Sequence, residues 1–254
     1  MSDLFDDAQD CIDWADKKVE AFEAAVSTYT RDCWERNTRR DELRGVDVKT
    51  IHIIKQPPKS LRMLTKEIAH DLRSALDLTI CATAERLKPP GIKPEKCSFP
   101  IARGGLKEFD DLLKRRAIAR ISPRLEALIR EFHPYKGGDL GLFMLHLVNR
   151  HEKHVRLSTL ATQARVTEHR VRYTHPDAAV SFPLQGQDWQ DAKSGLELYS
   201  ISAGAPHDIE TDFGLDIGLE KPQGLTIPVQ DWLMIVSCQA KVLIERIEKE
   251  VLEI

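Results

Sequence analysis

The chain has 254 residues, 42% hydrophobic and 30% charged, with 37 lysines and arginines against 40 aspartates and glutamates and a net charge of −3. That length can bury one large core or two smaller ones, and the composition is ordinary for a globular protein rather than a fibrous or disordered one. No run of about 18 apolar residues occurs, so no transmembrane helix is expected, and nothing in the overall charge demands a nucleic acid.

The opening Met-Ser-Asp-Leu-Phe-Asp-Asp is acidic and lacks the basic start of a secretory signal. The five cysteines, Cys11, Cys33, Cys81, Cys97 and Cys238, are scattered and form no Cys-x-x-Cys pair. Both features fit reduced thiols in a cytoplasmic protein, without a zinc ribbon. Charge is unevenly spread. Residues 1–24 hold eight acids against two lysines, whereas 103–136 hold nine basic residues against five acids. A basic middle between acidic ends can attract a phosphate backbone, or its charges can pair as solvated faces.

Phe5, Ala8, Ile12, Ala15, Val19, Phe22, Val26, Tyr29 and Cys33 recur at three- and four-residue steps, which predicts a long amphipathic helix capped by Ser2 or Asp3 and ended with its charged tail at Gly45. Val46 to Lys55 reads as a strand stopped by Pro57-Pro58. A second helix, Leu61 to Lys88, follows with Ser60 as cap. Its apolar arc is Leu61, Leu64, Ile68, Leu72, Ala75, Leu76 and Thr79. His70, Arg73, Ser74 and Asp77 form a line on the opposite face, where a base, a cation, a hydroxyl and an acid meet at i, i+3, i+4 and i+7. That line is either a site or a solvated, internally paired face.

Pro89-Pro90-Gly91 and Pro94 predict a loop, then Ser98-Phe99-Pro100-Ile101 an extended segment. Leu106 to Ala119 reads as a charged helix, and Ser122-Pro123 starts another with Leu125, Leu128, Ile129 and Phe132 inward. Pro134 to Gly138 turns into the central helix, Leu140 to Leu157. Beyond Ala161 come five short, partly alternating segments: Val166–Tyr173, Ala179–Leu184, Leu196–Ser202, Ile209–Leu219 and Leu225–Val229. They read as an antiparallel sheet that the early strand joins. His175-Pro176-Asp177 is a hairpin corner. Asp231 caps a closing helix whose inner face is Trp232, Ile235, Val236, Gln239, Leu243, Ile247 and Val251. The fold class is α+β: a helical bundle of four main helical blocks, a small antiparallel β-sheet and a C-terminal helix, taken as a single domain over 1–254.

The central helix carries the strongest candidate chemistry. It is apolar nearly all round at first, then packs Asn149-Arg150-His151-Glu152-Lys153-His154 into under two turns. At 100° per residue, Phe143, Leu147, His154 and Ala161 fall within about 40° of one another. Polar groups on or beside such a stripe must be paired. Three readings stand. A histidine beside an arginine can run phosphodiester chemistry, with His154 as acid/base, Arg150 and Lys153 on phosphate, and Asn149 orienting. His151 and His154, at i, i+3, could ligate a metal, but His-Glu-Lys-His is not His-Glu-x-x-His and no third ligand is recognisable, so no zinc is expected. Or the cluster is a buried polar knot holding helices in register. The catalytic candidates are His154, Arg150, Asn149 and Lys153, with His70, Arg73 and Asp77 if the two helices bring them together. There is no Walker, Gly-x-Gly-x-x-Gly or Gly-x-Ser-x-Gly motif, and no cofactor is expected.

Ala69-His70-Asp71-Leu72-Arg73-Ser74-Ala75-Leu76-Asp77 is similar to the His-Asn-Leu-Arg-Ser-Ala-Leu-Asp helix of a widespread, uncharacterised bacterial family. That family also has a Phe-Pro-Ile segment, matched by Phe99-Pro100-Ile101, and a helix ending Asn-x-x-Asp-Lys-His-Arg, matched by Asn149, Glu152, Lys153, His154 and, one residue displaced, Arg156. The resemblance covers roughly 40–160 and implies architecture, not a reaction. A second resemblance is to HEPN domains, helical bundles that often act as ribonucleases. Their arginine and histidine are separated by four to six residues, whereas Arg150 and His154 are separated by three. The resemblance to HEPN domains implies metal-independent RNA cleavage. The alternative is a scaffold or regulatory module whose polar cluster only organises the core. Candidate partners are RNA and a second copy of the chain, with no membrane.

Overall fold

The computed structural model describes residues 4–154, 159–183, 189–192, 195–221 and 225–252, with side chains for all of these except 4, 150–154, 159, 191 and 221. The architecture is α+β, with several helices, antiparallel strands and a C-terminal helix. The chain divides into two compact units, each assembled from separate stretches: Met1–Phe22, Arg62–Ser158 and Gln230–Ile254 in the first, Glu23–Leu61 and Thr159–Val229 in the second.

The first unit is helical. Helix α1 (Leu4–Thr30) begins in it, and Phe5, Ala8, Ile12, Ala15, Val19 and Phe22 are all buried, as the spacing predicts. Helix α2 (Lys59–Leu87) starts two residues earlier than expected, so Ser60 lies inside it rather than capping it. It buries Ile68, Ala69, Leu72, Ala75, Leu76, Ile80, Ala82 and Ala84, while Leu64 stays half-buried. Thr79 and Thr83 can be buried here because their hydroxyls donate to the Ala75 and Thr79 carbonyls, at 2.7 and 2.8 Å.

The charged helix is two pieces, α3 (Leu106–Arg115) and α4 (Ile118–Ile121), broken where Ala117 takes a left-handed φ of 52°. Helix α5 (Pro123–Glu131) starts as the sequence indicates, with proline in the first turn and the Leu125 N–H donating to the Ser122 hydroxyl. Helix α6 (Leu140–His154) buries Leu142, Met144, Leu145 and Val148. The expected extension to Leu157 and the Ser2 or Asp3 cap of α1 lie outside the described residues.

Helix α7 (Val229–Arg246) closes the unit and runs on into a π-helical turn, Ile247–Val251. Trp232, Val236, Leu243, Ile247 and Val251 face inward as expected, but Ile235 is exposed, and Leu233, Ala240 and Ile244 take up the inner face instead. Several side-chain bonds tie α7 to its neighbours, Lys241 to Asp16 and Arg246 to Glu131 among them. The Trp232 indole donates to the Gly141 carbonyl (3.1 Å), the Gln239 amide to Asp139 (2.6 Å) and the Ser237 hydroxyl to Asp16 (2.6 Å). Gly141 has no side chain for a reason: a Cβ there would lie 3.2 Å from Val236 and 3.1 Å from Gln239.

The second unit holds two antiparallel sheets. One has the order β1 (Trp34–Asp41), β2 (Val46–Ile53), β6 (Leu196–Ser202), β4 (Val180–Ser181); the other has β5 (Gln190–Asp191), β3 (Thr159–Thr174), β7 (His207–Lys221). The early strand does join the later ones, through the β2–β6 ladder. Ile51, Ala164, Leu198, Tyr199 and Ile201 form the shared core.

Residues 34–41, expected as the helix tail, are a strand, paired with β2 from Trp34↔Ile53 to Asp41↔Val46. Gly45, at φ 64°, makes the turn between them. An edge strand carrying Arg36, Arg39 and Arg40 outward has no apolar alternation to betray it, and its charges discourage pairing with another chain. Leu225–Val229, expected as a strand, is none. Strand β7 ends at Lys221, Pro228 lacks the N–H a ladder needs, and Val229 already begins α7.

Candidate functional site

The line on α2 is not a solvated face. His70 is exposed, but Arg73, one turn on, is buried, with a side chain only 11% exposed. Its guanidinium reaches Asp77 twice, Nη2 to Oδ1 at 2.7 Å and Nε to Oδ2 at 3.2 Å. Nη2 also donates to the Phe99 carbonyl at 2.7 Å, while the Phe99 N–H donates back to Asp77 Oδ1 at 2.9 Å. The i, i+4 pair thus grips both backbone groups of one residue in the extended segment. Arg116, the C-cap of α3, completes the grip: its Nη1 donates to the carbonyls of Phe99 and Ser98, both at 2.8 Å, and to the Ser98 hydroxyl.

The extended segment is held from its other side too. The Ala102 N–H donates to the Pro134 carbonyl (2.9 Å) and the Lys136 N–H to that of Gly104 (3.1 Å). Phe99, Pro100, Ile101 and Ala102 are buried in consequence. A chain segment without regular structure can be buried only if its backbone groups are satisfied, and the motif residues supply that.

Helix α6 meets this cluster at a residue the sequence analysis did not single out. His146 sits between Leu145 and Leu147, and its pKa is pushed down from the ordinary 6.5 to about 4. Burial is the main cause, followed by the charges of Arg73, Arg103 and Arg116, with Glu108 pulling weakly the other way. The ring is therefore neutral at pH 7. Arg116 feels the same crowding. Burial and then the Arg73 charge hold its pKa below the usual guanidinium range, though Asp77 acts against them.

No family model, curated protein or solved structure matches this chain.

Of the residues singled out from sequence, Arg73 and Asp77 are brought together, and His70 points away into solvent. Asn149 is half-buried on α6. Arg150, Lys153 and His154 stand on the last turns of α6, but their side chains lie outside those described, as do those of His151 and Glu152. Among the described residues no three histidine, cysteine or acidic side chains come together as metal ligands. His146 was legible in principle, since a lone histidine amid leucines breaks the apolar face of its helix. Arg116 was hidden inside a basic run, Lys114-Arg115-Arg116.

The depressed pKa of His146 has a measurable consequence. In the unfolded chain the ring takes a proton near pH 6.5, and in the fold only near pH 4. The unfolded state binds more protons across that window, so stability is full above about pH 6.5 and falls as pH drops towards 4. Allowing for screening at a ring that is not wholly buried, the loss is about 2 kcal/mol. Denaturant melts of the wild type and His146→Gln across this window check it: the variant lacks this component of the acid sensitivity. Equal slopes would show that the ring titrates normally.

Proposed function

We propose that the protein is a non-enzymatic scaffold or regulatory module whose polar motif organises its helical core. One observation carries this reading: Nε and Nη2 of Arg73 and both carboxylate oxygens of Asp77 are engaged with each other and with both backbone groups of Phe99. A catalytic cation and acid need a face turned to substrate, and these two are turned to the chain itself. The resemblance to the uncharacterised bacterial family belongs to the same reading. Two of the segments that carry it, Ala69–Asp77 and Phe99–Ile101, are bonded to each other, which gives a physical reason for them to occur together.

Metal-independent RNA cleavage is the competing reading, and it depends on Arg150, Lys153 and His154. The full chain and its His154→Ala variant, each incubated with mixed-sequence RNA, separate the two. The scaffold reading predicts intact RNA with both proteins. Cleavage by the wild type, lost in the variant at an unchanged thermal midpoint, would replace it with the ribonuclease.

A further inference from the structure

The second unit holds a cavity of about 180 Å³. Its walls are β1, β2 and β6 of one sheet and β7 of the other. A break in register shapes it. In the β2–β6 ladder Lys49 pairs with Tyr199 and Thr50 with Glu197, so Leu198 is left over. Neighbouring residues of a regular strand point to opposite faces, but a bulge re-aims them. Lys49 and Thr50, and likewise Leu198 and Tyr199, therefore line one space. Across it stand Ile209 and Thr211 of β7, whose Phe213 meets Trp34 of β1 edge-on at 4.8 Å.

The cavity has a buried floor and a cationic mouth. Leu198, Tyr199 and Thr211 are 3%, 6% and 4% exposed, whereas Arg36 and Thr38 are exposed and Lys49 is half-buried. Thr38 opposes Lys49 and Lys49 opposes Tyr199, which makes one cross-strand row, with Arg36 on the same face of β1, 6.0 Å from the Trp34 ring. The threonine hydroxyls have partners. Lys49 Nζ donates to Thr38 Oγ1 at 2.8 Å, Thr50 Oγ1 meets His52 Nε2 at 2.9 Å, and Thr211 Oγ1 meets His169 Nδ1 at 3.0 Å. The cations lack counter-charges. The acids that act on Lys49 and Tyr199 are engaged already, Asp47 with Arg40 (2.7 Å) and the Gly204 N–H (2.9 Å), Asp208 with Arg172 (3.9 Å). Among the described residues Arg36 and Lys49 form no ion pair, and the Tyr199 hydroxyl has no hydrogen-bond partner.

We infer that this cavity binds a small amphipathic monocarboxylic acid, aromatic or short aliphatic, with its carboxylate between Arg36 and Lys49 and its apolar body on Leu198 and Ile209. The guanidinium of Arg36 can meet a carboxylate with two parallel bonds, and Lys49 keeps two of its three protons after the bond to Thr38. Size limits the ligand, since pockets for drug-sized molecules run to about 300–1,000 Å³. Polarity limits it further. Both cations stand at the mouth, so the anionic group belongs there. Beyond them only the Tyr199 hydroxyl is free among the lining side chains named, and the hydroxyls of a sugar phosphate would face Leu198 and Ile209 unpaired, at a cost. The site lies in the unit that does not hold Arg73 and Asp77. It goes beyond the scaffold reading and stands without it, since it needs no reaction.

The test is calorimetric titration of the full chain with benzoate and with hexanoate, beside three controls at matched ionic strength: benzamide, which has the ring without the charge, acetate, which has the charge without the body, and inorganic phosphate. Saturable binding of benzoate, hexanoate or both is expected, with each control at least about tenfold weaker. Arg36 is exposed, so Arg36→Gln removes a charge without disturbing the core, and Lys49→Gln removes the other. Each should weaken the bound acid about tenfold, with Arg39→Gln, exposed and outside the cavity, unchanged. The bound acid should also raise the thermal midpoint of the wild type and of Arg39→Gln, but raise that of Arg36→Gln less. Heats for both acids no larger than those of chloride, benzamide or phosphate binding as tightly as the better acid, or binding unaffected by both cavity variants would overturn the inference.

Discussion

Trp232→Ala is expected to be the most damaging single truncation in the helical unit. The indole is 1% exposed and is the largest of the fully buried side chains. Removing it deletes its transfer free energy and leaves a cavity that α6 and α7 cannot fill without moving, at about 3–5 kcal/mol. The Gly141 carbonyl also loses the indole N–H that joins the two helices. For a chain of this size that corresponds to a fall in thermal midpoint of roughly 10 °C or more. Trp232→Phe restores much of the volume but not the donor, so it should fall between the two. A loss under about 1 kcal/mol for the alanine variant would mean that α7 does not hold the unit together as described.

Arg73→Met comes next. The substitution keeps most of the apolar stem and removes the charge, leaving the Asp77 carboxylate facing Phe99 without its cation. Breaking one side of a buried ion pair costs about 3–5 kcal/mol. Asp77 is 35% exposed and can draw on water, which places the expected loss at the lower end, about 3 kcal/mol. The Phe99 carbonyl keeps the Arg116 bond, so the segment is loosened rather than released. Chemical denaturation at pH 7 measures this, and a near-neutral result would mean that Arg73 contributes nothing to the core.

Much of this was legible along the chain, because much of it is local. The buried positions of α1 and most of those of α7 follow a three- and four-residue spacing that any amphipathic helix must show. The proline start of α5 and the span of β6 follow from equally local chemistry. Strand β1 was not legible. A polar strand with both faces largely in solvent carries no period-two pattern, and what makes it a strand is its partner β2, beyond the turn at Gly45.

The candidate site divides in the same way. The i, i+4 spacing of Arg73 and Asp77 announces a pair, and the pair forms. Its purpose depends on Phe99, 22 residues beyond Asp77, and on Arg116, 17 beyond Phe99. Those partners are set by how the helices pack, which spacing does not encode. That is why spacing alone leaves the line open between a site and a solvated, internally paired face, although its second member is buried. His146 is visible as a lone histidine amid leucines, but the arginines that act on it come from elsewhere in the chain and spacing does not reveal them.

The central claim is that Arg73 and Asp77 act as one structural unit, and a double-mutant cycle tests it most directly. Arg73→Met, Asp77→Asn and the double variant would be unfolded in denaturant at pH 7 beside the wild type. The account predicts a coupling of about 1–3 kcal/mol, with the double variant less damaged than the sum of the singles, because neither then leaves the other's charge stranded. Single losses that simply add, within about 0.5 kcal/mol, would contradict it.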